Sequence, residues 1–222
     1  MSVTENLNDT LKSLPKGITL VAVSKFHPNE SILEAYEAGQ RVFGESRVQE
    51  LIEKQKTLPR DILWHFIGHL QTNKVKQIIP FVALIHSIDS IKLLSEIDKE
   101  GKRIGRVIPC LLQIHVAQEE TKFGFSPEEC LNLFASGTYI DFRNVKLKGL
   151  MGMASLTENT SQIRSEFNCL KQCFDQVKQT YFPSDASFRE LSMGMSNDYP
   201  IAIEEGSTMV RIGSRIFGER AY

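Results

Sequence analysis

Cysteine is scarce in this chain and nowhere arranged for crosslinking or metal binding. The four cysteines, Cys110, Cys130, Cys169 and Cys173, include no C-x-x-C pair. That argues against a zinc ribbon or a disulfide framework, and Cys169 and Cys173, four apart in a helical pattern, read as helix packing. Net charge is missing too. The 26 basic and 27 acidic side chains leave a formal charge of -1, which gives no general attraction to nucleic acid or an acidic membrane surface. Long apolar runs are absent: the most apolar window, "QIIPFVALIHSI", is too short to span a bilayer and is broken by Pro80 and His86. The opening "MSVTENLNDTLKSLPKG" has no apolar core of a secretory signal, so a cytoplasmic location is expected. His65 and His69 are four apart but fall in a strand-like stretch, which separates them by ~13 Å. With no glutamate between them, no metal site is expected.

What is present is an ordinary globular composition, 41% hydrophobic and 24% charged, patterned as alternating strands and helices. Strand-like runs are expected at 18–25, 41–46, 62–70, 81–89, 106–116, 145–154, 188–194 and 208–213, each followed by a helical pattern. Before the first lies an amphipathic helix, "TENLNDTLKSL". Ser126 and Pro127 mark a helix start, as N-cap and first helical residue. The strands are apolar runs rather than clean alternations, as when both faces of a parallel sheet are covered. A doubly wound open sheet gives the same alternation; the count of eight favours a (β/α)8 TIM barrel of the α/β class. It is expected as a single domain over 1–222 with an extra N-terminal helix.

In such a barrel, chemistry sits at the carboxyl ends of the strands. Strand one closes on Lys25, a residue that either lays its stem along apolar surface or is held in a pocket for bonding to a carbonyl. The ends of strands seven and eight carry "LSMGMS" and "RIGS", small residues where barrels commonly cradle phosphate on backbone N–H groups. Glycine there also serves simply to make tight turns. Taken singly, each of these residues reads as a satisfied polar group at a strand end; together they converge.

The stretches "AVSKFHP", "EAGQRVFGES", "WHFIGHLQTNK", "IHSIDS", "LKGLMGMA", "LSMGMSNDY" and "AIEEGSTMVRIGSRIFGER" run in order from about Leu20 to Arg220. They resemble the pyridoxal phosphate homeostasis protein family (YggS/PROSC-type), related to the N-terminal domain of alanine racemase. The resemblance implies that barrel fold and pyridoxal 5'-phosphate (PLP) as ligand, held as a Schiff base on Lys25. It further implies phosphate contacts from Gly213, Ser214 and Ser192, with Met193 beside it, and Arg211 against the pyridine nitrogen. Ser46 stands where the family usually has an asparagine near the ring, so a bridging water is expected in place of an amide contact. "IGHLQ" stands where "IGPLQ" is more common.

A lysine among apolar walls loses solvation, which lowers its pKa and frees an amine to attack an aldehyde. A permanently charged arginine at the ring nitrogen disfavours ring protonation and so weakens carbanion chemistry. With no obvious second base, and no racemase-type second domain expected before Tyr222, the resemblance implies a PLP carrier in vitamin B6 homeostasis, not an enzyme. It would be a monomer making transient contact with PLP-dependent apoenzymes. The alternative is a small racemase-like PLP enzyme of amino acids; a cofactor-free Schiff-base aldolase leaves the phosphate cradle and Arg211 unexplained.

Overall fold

The computed structural model describes residues 2–118 and 123–218. Glu219, Arg220 and Tyr222, on which the end of the family-like stretch and the expected chain end fall, lie outside the described residues. Helix α1 (Val3–Ser13) comes first, and then β1 (Thr19–Val23), α2 (Asn29–Glu37), β2 (Val42–Glu45), α3 (Val48–Thr57) and β3 (Leu63–Phe66). Next are α4 (Val75–Ile78), β4 (Leu84–Ile88), α5 (Ile91–Ile104), β5 (Ile108–Ile114), α6 (Pro127–Ala135) and β6 (Val145–Gly152). The order ends with α7 (Thr160–Tyr181), β7 (Glu190–Ser192), α8 (Tyr199–Glu204), β8 (Met209–Ile212) and α9 (Ser214–Phe217).

The eight strands are all parallel and close into a barrel, in sequence order, when β8 pairs with β1. That closure sets Val21 beside Arg211. The expected (β/α)8 barrel is the observed fold. Local chemistry starts and stops its helices. Ser126 and Glu129 form a reciprocal capping box at α6 with Pro127 in its first turn, and Gly105 ends α5 in the left-handed region at φ 67°. Helix α1 is tied on by Asn6, whose side-chain amide donates to the Ile216 carbonyl of α9 at 3.1 Å. Among the described residues no helix is long and apolar enough to cross a membrane.

Two apolar cores follow from strands covered on both faces. The larger lies between strands and helices and includes Phe43, Trp64, Phe66, Leu112, Phe167 and Val210. The smaller fills the barrel with Val21, Leu84, Leu111, Met151 and Met209. Two residues further along, the same strand faces carry Val23, His86, Gln113, Met153 and Arg211, because side-chain direction repeats every second residue. Register shifts adjust this count, one between Ile85 and Ile88 where β4 pairs with β5 and one in β6. The pairing of β5 with β6 shifts between Cys110 and Leu111, which pair with Leu147 and Gly149. Lys148 is therefore the extra residue, and the parity changes: Leu147 belongs to the helix-side core, Met151 to the barrel interior.

Candidate cofactor site

A cavity of about 430 Å³ opens at the carboxyl end of the barrel, within the usual range for a small-ligand site. Its wall includes Lys25, Ser46, Arg211, Gly213 and Ser214, brought from the ends of β1, β2 and β8. The Leu156 side, 90% exposed, and Met195, 36% exposed, form an apolar part of the mouth.

Lys25 lies two residues beyond the end of β1 rather than closing it, so the expected strand at 18–25 is shorter than read. A turn takes its place. The His27 amide donates to the Ser24 carbonyl at 3.1 Å, and Phe26 adopts φ 67°. A left-handed conformation is costly for a bulky side chain, and it reverses the chain directly after Lys25. The His27 ring stacks on Phe217, with centroids 5.0 Å apart.

Arg211 enters from β8 and is buried, 5% exposed. Its Nη1 donates to Ser192 Oγ at 2.7 Å and its Nη2 to the Gly152 carbonyl at 3.0 Å. Burial lowers its pKa to about 10, which leaves it a guanidinium at neutral pH. Below it runs a buried polar chain: His86 Nδ1 lies 3.0 Å from Ser192 Oγ, and His86 Nε2 lies 3.0 Å from His65 Nδ1. Desolvation lowers the pKa of His65 to about 3 and holds that of His86 well below its ordinary value, so both rings are neutral. Arginine only donates, so Ser192 Oγ accepts from Nη1. The two imidazoles are linked in one chain: where the Ser192 hydroxyl donates to His86 Nδ1, His86 carries its proton on Nε2 and donates to His65 Nδ1, and the opposite tautomers reverse both bonds.

Ser192 and Met193 are placed differently from the sequence expectation. Both are fully buried, and neither lies on the cavity wall; Ser192 faces the guanidinium and His86 beneath it. The serine of "LSMGMS" that reaches the wall is Ser196, whose hydroxyl accepts from the Gly213 amide at 3.3 Å. Asn197 and Ser155 also line the cavity. Ser155 is held by Glu166 of α7, which accepts from its amide at 2.6 Å and from its hydroxyl at 2.8 Å. Sequence reasoning missed these residues, although the second serine of "LSMGMS" was in view. A glycine at 213 lets β8 approach β1: a Cβ there would meet the Val23 carbonyl oxygen at 3.0 Å. His69 lies beyond β3, bonded through Nδ1 to Asp89 at 2.8 Å, whereas His65 is bonded to His86.

The family model of the alanine racemase N-terminal domain matches residues 2–221. A curated relative from Aquifex aeolicus, the pyridoxal phosphate homeostasis protein, is 43% identical over 204 residues, covering 91% of this chain and 87% of that one. The chain belongs to the pyridoxal phosphate homeostasis protein family. The human protein of that name is 39% identical over 216 residues, covering 91% of this chain and 77% of its own. Among solved structures, PipY of Synechococcus elongatus with PLP bound superposes with a TM-score of 0.87 at 35% identity, covering 98% of this chain and all (100%) of that one. The relatives in this family are named for homeostasis of the cofactor and not for a reaction.

Proposed function

We propose that this protein binds PLP covalently through Lys25 and serves as a carrier in intracellular PLP homeostasis. The observation that carries the reading is the convergence, on one cavity of suitable size, of a lysine amine and a pinned guanidinium with a cluster of small polar residues. When bound, PLP supplies an aldehyde that condenses with a primary amine and a ring that accepts electrons. Lys25 is the amine. Gly213, Ser214 and Ser196 offer backbone N–H and hydroxyl groups for the phosphate, and Ser46 offers a short hydroxyl toward the ring. Arg211 presents a fixed positive charge that disfavours a proton on the ring nitrogen. Ser192 and Met193 support from below, Ser192 by holding Arg211. Such a site retains PLP while leaving amino-acid chemistry weak, as suits a carrier.

The open apolar mouth at Leu156 and Met195 supports transient docking of PLP-dependent apoenzymes that receive the cofactor. A barrel that builds this site from its own strand ends needs no second subunit, and the protein is a monomer on this reading. The site calls for no metal, and the cytoplasm is the compartment where it would act. Borohydride reduction of the PLP-loaded protein, followed by peptide mass mapping, tests the proposal. It expects the phosphopyridoxyl group on Lys25 and none in Lys25→Ala. A label on another lysine in the wild type would overturn it, and sedimentation showing a stable dimer would overturn the monomer.

A further inference from the structure

On the outer face of β1 and β2, away from the cavity, sits a buried ionic cluster whose every bond leads to the neighbours of Lys25. Lys54 projects from α3 and is only 5% exposed. Its ammonium has three protons and three acceptors: the Ser24 carbonyl at 2.8 Å, Glu45 Oε1 at 2.7 Å and Glu50 Oε1 at 2.6 Å. The two carboxylates pass the restraint on. Glu45 Oε1 accepts from the Ser24 hydroxyl at 2.6 Å, and Glu50 Oε1 accepts from the Phe26 amide at 2.6 Å.

Residues 24 and 26 are thus tied to one ammonium, with Lys25 between them. Phe26 is the residue at φ 67°, and strain of this kind persists only where the surroundings over-determine it. The Arg47 guanidinium lies 4.4 Å from the centre of its ring and adds a further contact.

Stability alone does not account for this cluster. Burying an ammonium with two acidic side chains costs desolvation that an apolar side chain would avoid, and that burial raises the Glu45 pKa from 4.5 to about 7. The bookkeeping is also incomplete, since Glu45 Oε2 is buried with no hydrogen-bond partner. What the cluster secures is the backbone position from which a flexible four-carbon arm reaches the cavity.

We propose that Lys54 is a positioning residue for Lys25: with Glu45 and Glu50 it clamps the turn at Ser24–Phe26 so that the Lys25 amine meets the ligand's aldehyde. The proposal rests on the reading of Lys25 as the bonding lysine. Lys54 is not on the wall of the cavity that holds Lys25; with Glu50 and Phe26 it lines a separate hollow on the outer side, and the clamp governs alignment for bond formation rather than non-covalent affinity.

Two ligands separate alignment from binding. PLP bonds to lysine, whereas pyridoxamine 5'-phosphate keeps ring and phosphate but bears an amine in place of the aldehyde. In Lys54→Met and in Glu50→Ala, affinity for pyridoxamine phosphate is expected within about two-fold of the wild type, while formation of the borohydride-trapped adduct on Lys25 slows about ten-fold or more. Glu50→Gln, which keeps an acceptor oxygen for the Phe26 amide, restores most of the rate. If Lys54→Met does not fold, Glu50→Ala carries the test, because Glu50 is at the edge of the cluster and leaves the Lys54–Glu45 pair in place. Adduct formation at the wild-type rate in the folded variants, or a parallel loss for both ligands, would overturn the proposal. A wild type that traps no adduct on Lys25 would instead sink the functional reading.

Discussion

Ser192 Oγ sits 2.7 Å from Nη1 of Arg211, on the floor of the site, while Ser196, four residues on, lies on its wall beside Gly213. The two serines of "LSMGMS" therefore have separable jobs. Ser192→Ala strips a partner from a buried guanidinium and from His86, so a stability loss of about 2 kcal/mol is expected. Ser196→Ala leaves stability within about 0.5 kcal/mol and weakens binding of pyridoxamine phosphate. Urea denaturation and ligand titration on both variants check the assignment, and the reverse pattern would refute it.

The buried imidazoles make the fold sensitive to acid. His65 has its pKa lowered from 6.5 to about 3 by desolvation, so the unfolded chain takes up the proton first as pH falls. The stability tied to the neutral ring is complete above pH 6.5 and is lost progressively toward pH 3. Within that window His65 costs about 1.4 kcal/mol per pH unit, with His86 acting in the same direction. His65→Gln is expected to be less stable at neutral pH but to show a shallower acid limb. Urea midpoints between pH 7.5 and pH 5 (about the range where a His shift shows) measure the difference in slope.

Gly149 anchors the bulge that turns Met151 into the barrel. Its φ is 149°, and a Cβ would lie 1.8 Å from the Glu190 carbonyl oxygen. Gly149→Ala is expected to cost more than about 3 kcal/mol, by strain and steric overlap together. Gly105→Ala is the control: it also has positive φ, 67°, but open space around the new methyl group, and a cost of about 1 kcal/mol is expected. Thermal melts of the two variants measure the cost of this close approach of β6 to β7, and equal losses in both would refute it.

The charge of Arg211 bears on chemistry as well as binding. The PLP-loaded wild type is expected to show no appreciable exchange of the α-proton of alanine or other amino acids, because a fixed cation beside the ring opposes its protonation. Arg211→Glu, which favours a protonated ring, is expected to bind PLP more weakly and to allow slow exchange. Deuterium wash-in followed by NMR reads both. Rapid exchange by the wild type would replace the carrier reading with a racemase-like enzyme.

Much of this protein is legible in its residues taken in order. Alternating strand and helix patterns in the right number specify a parallel barrel, because each apolar run needs cover on both faces. The helix start at Ser126 and Pro127 follows from local capping chemistry. Lys25 and the Gly213–Ser214 pair stand out because polar and small residues at the carboxyl end of a strand face the site in this architecture. Other features exist only once the chain is closed. The sequence does not mark where β7 ends, so nothing in "LSMGMS" tells that Ser192 closes the strand while Ser196 lies in the loop beyond it. The bulge at Lys148 changes the parity of β6 without any apolar signature. His65, His86, Ser192 and Arg211 come from four strands, β3, β4, β7 and β8, and meet because β8 pairs with β1 and closes the barrel. Lys54 reads as one more basic residue on an amphipathic helix until α3 packs over β1 and β2. Glu50 is its neighbour one turn back on α3, but the acceptors at residues 24 and 45 reach the same ammonium only through tertiary packing.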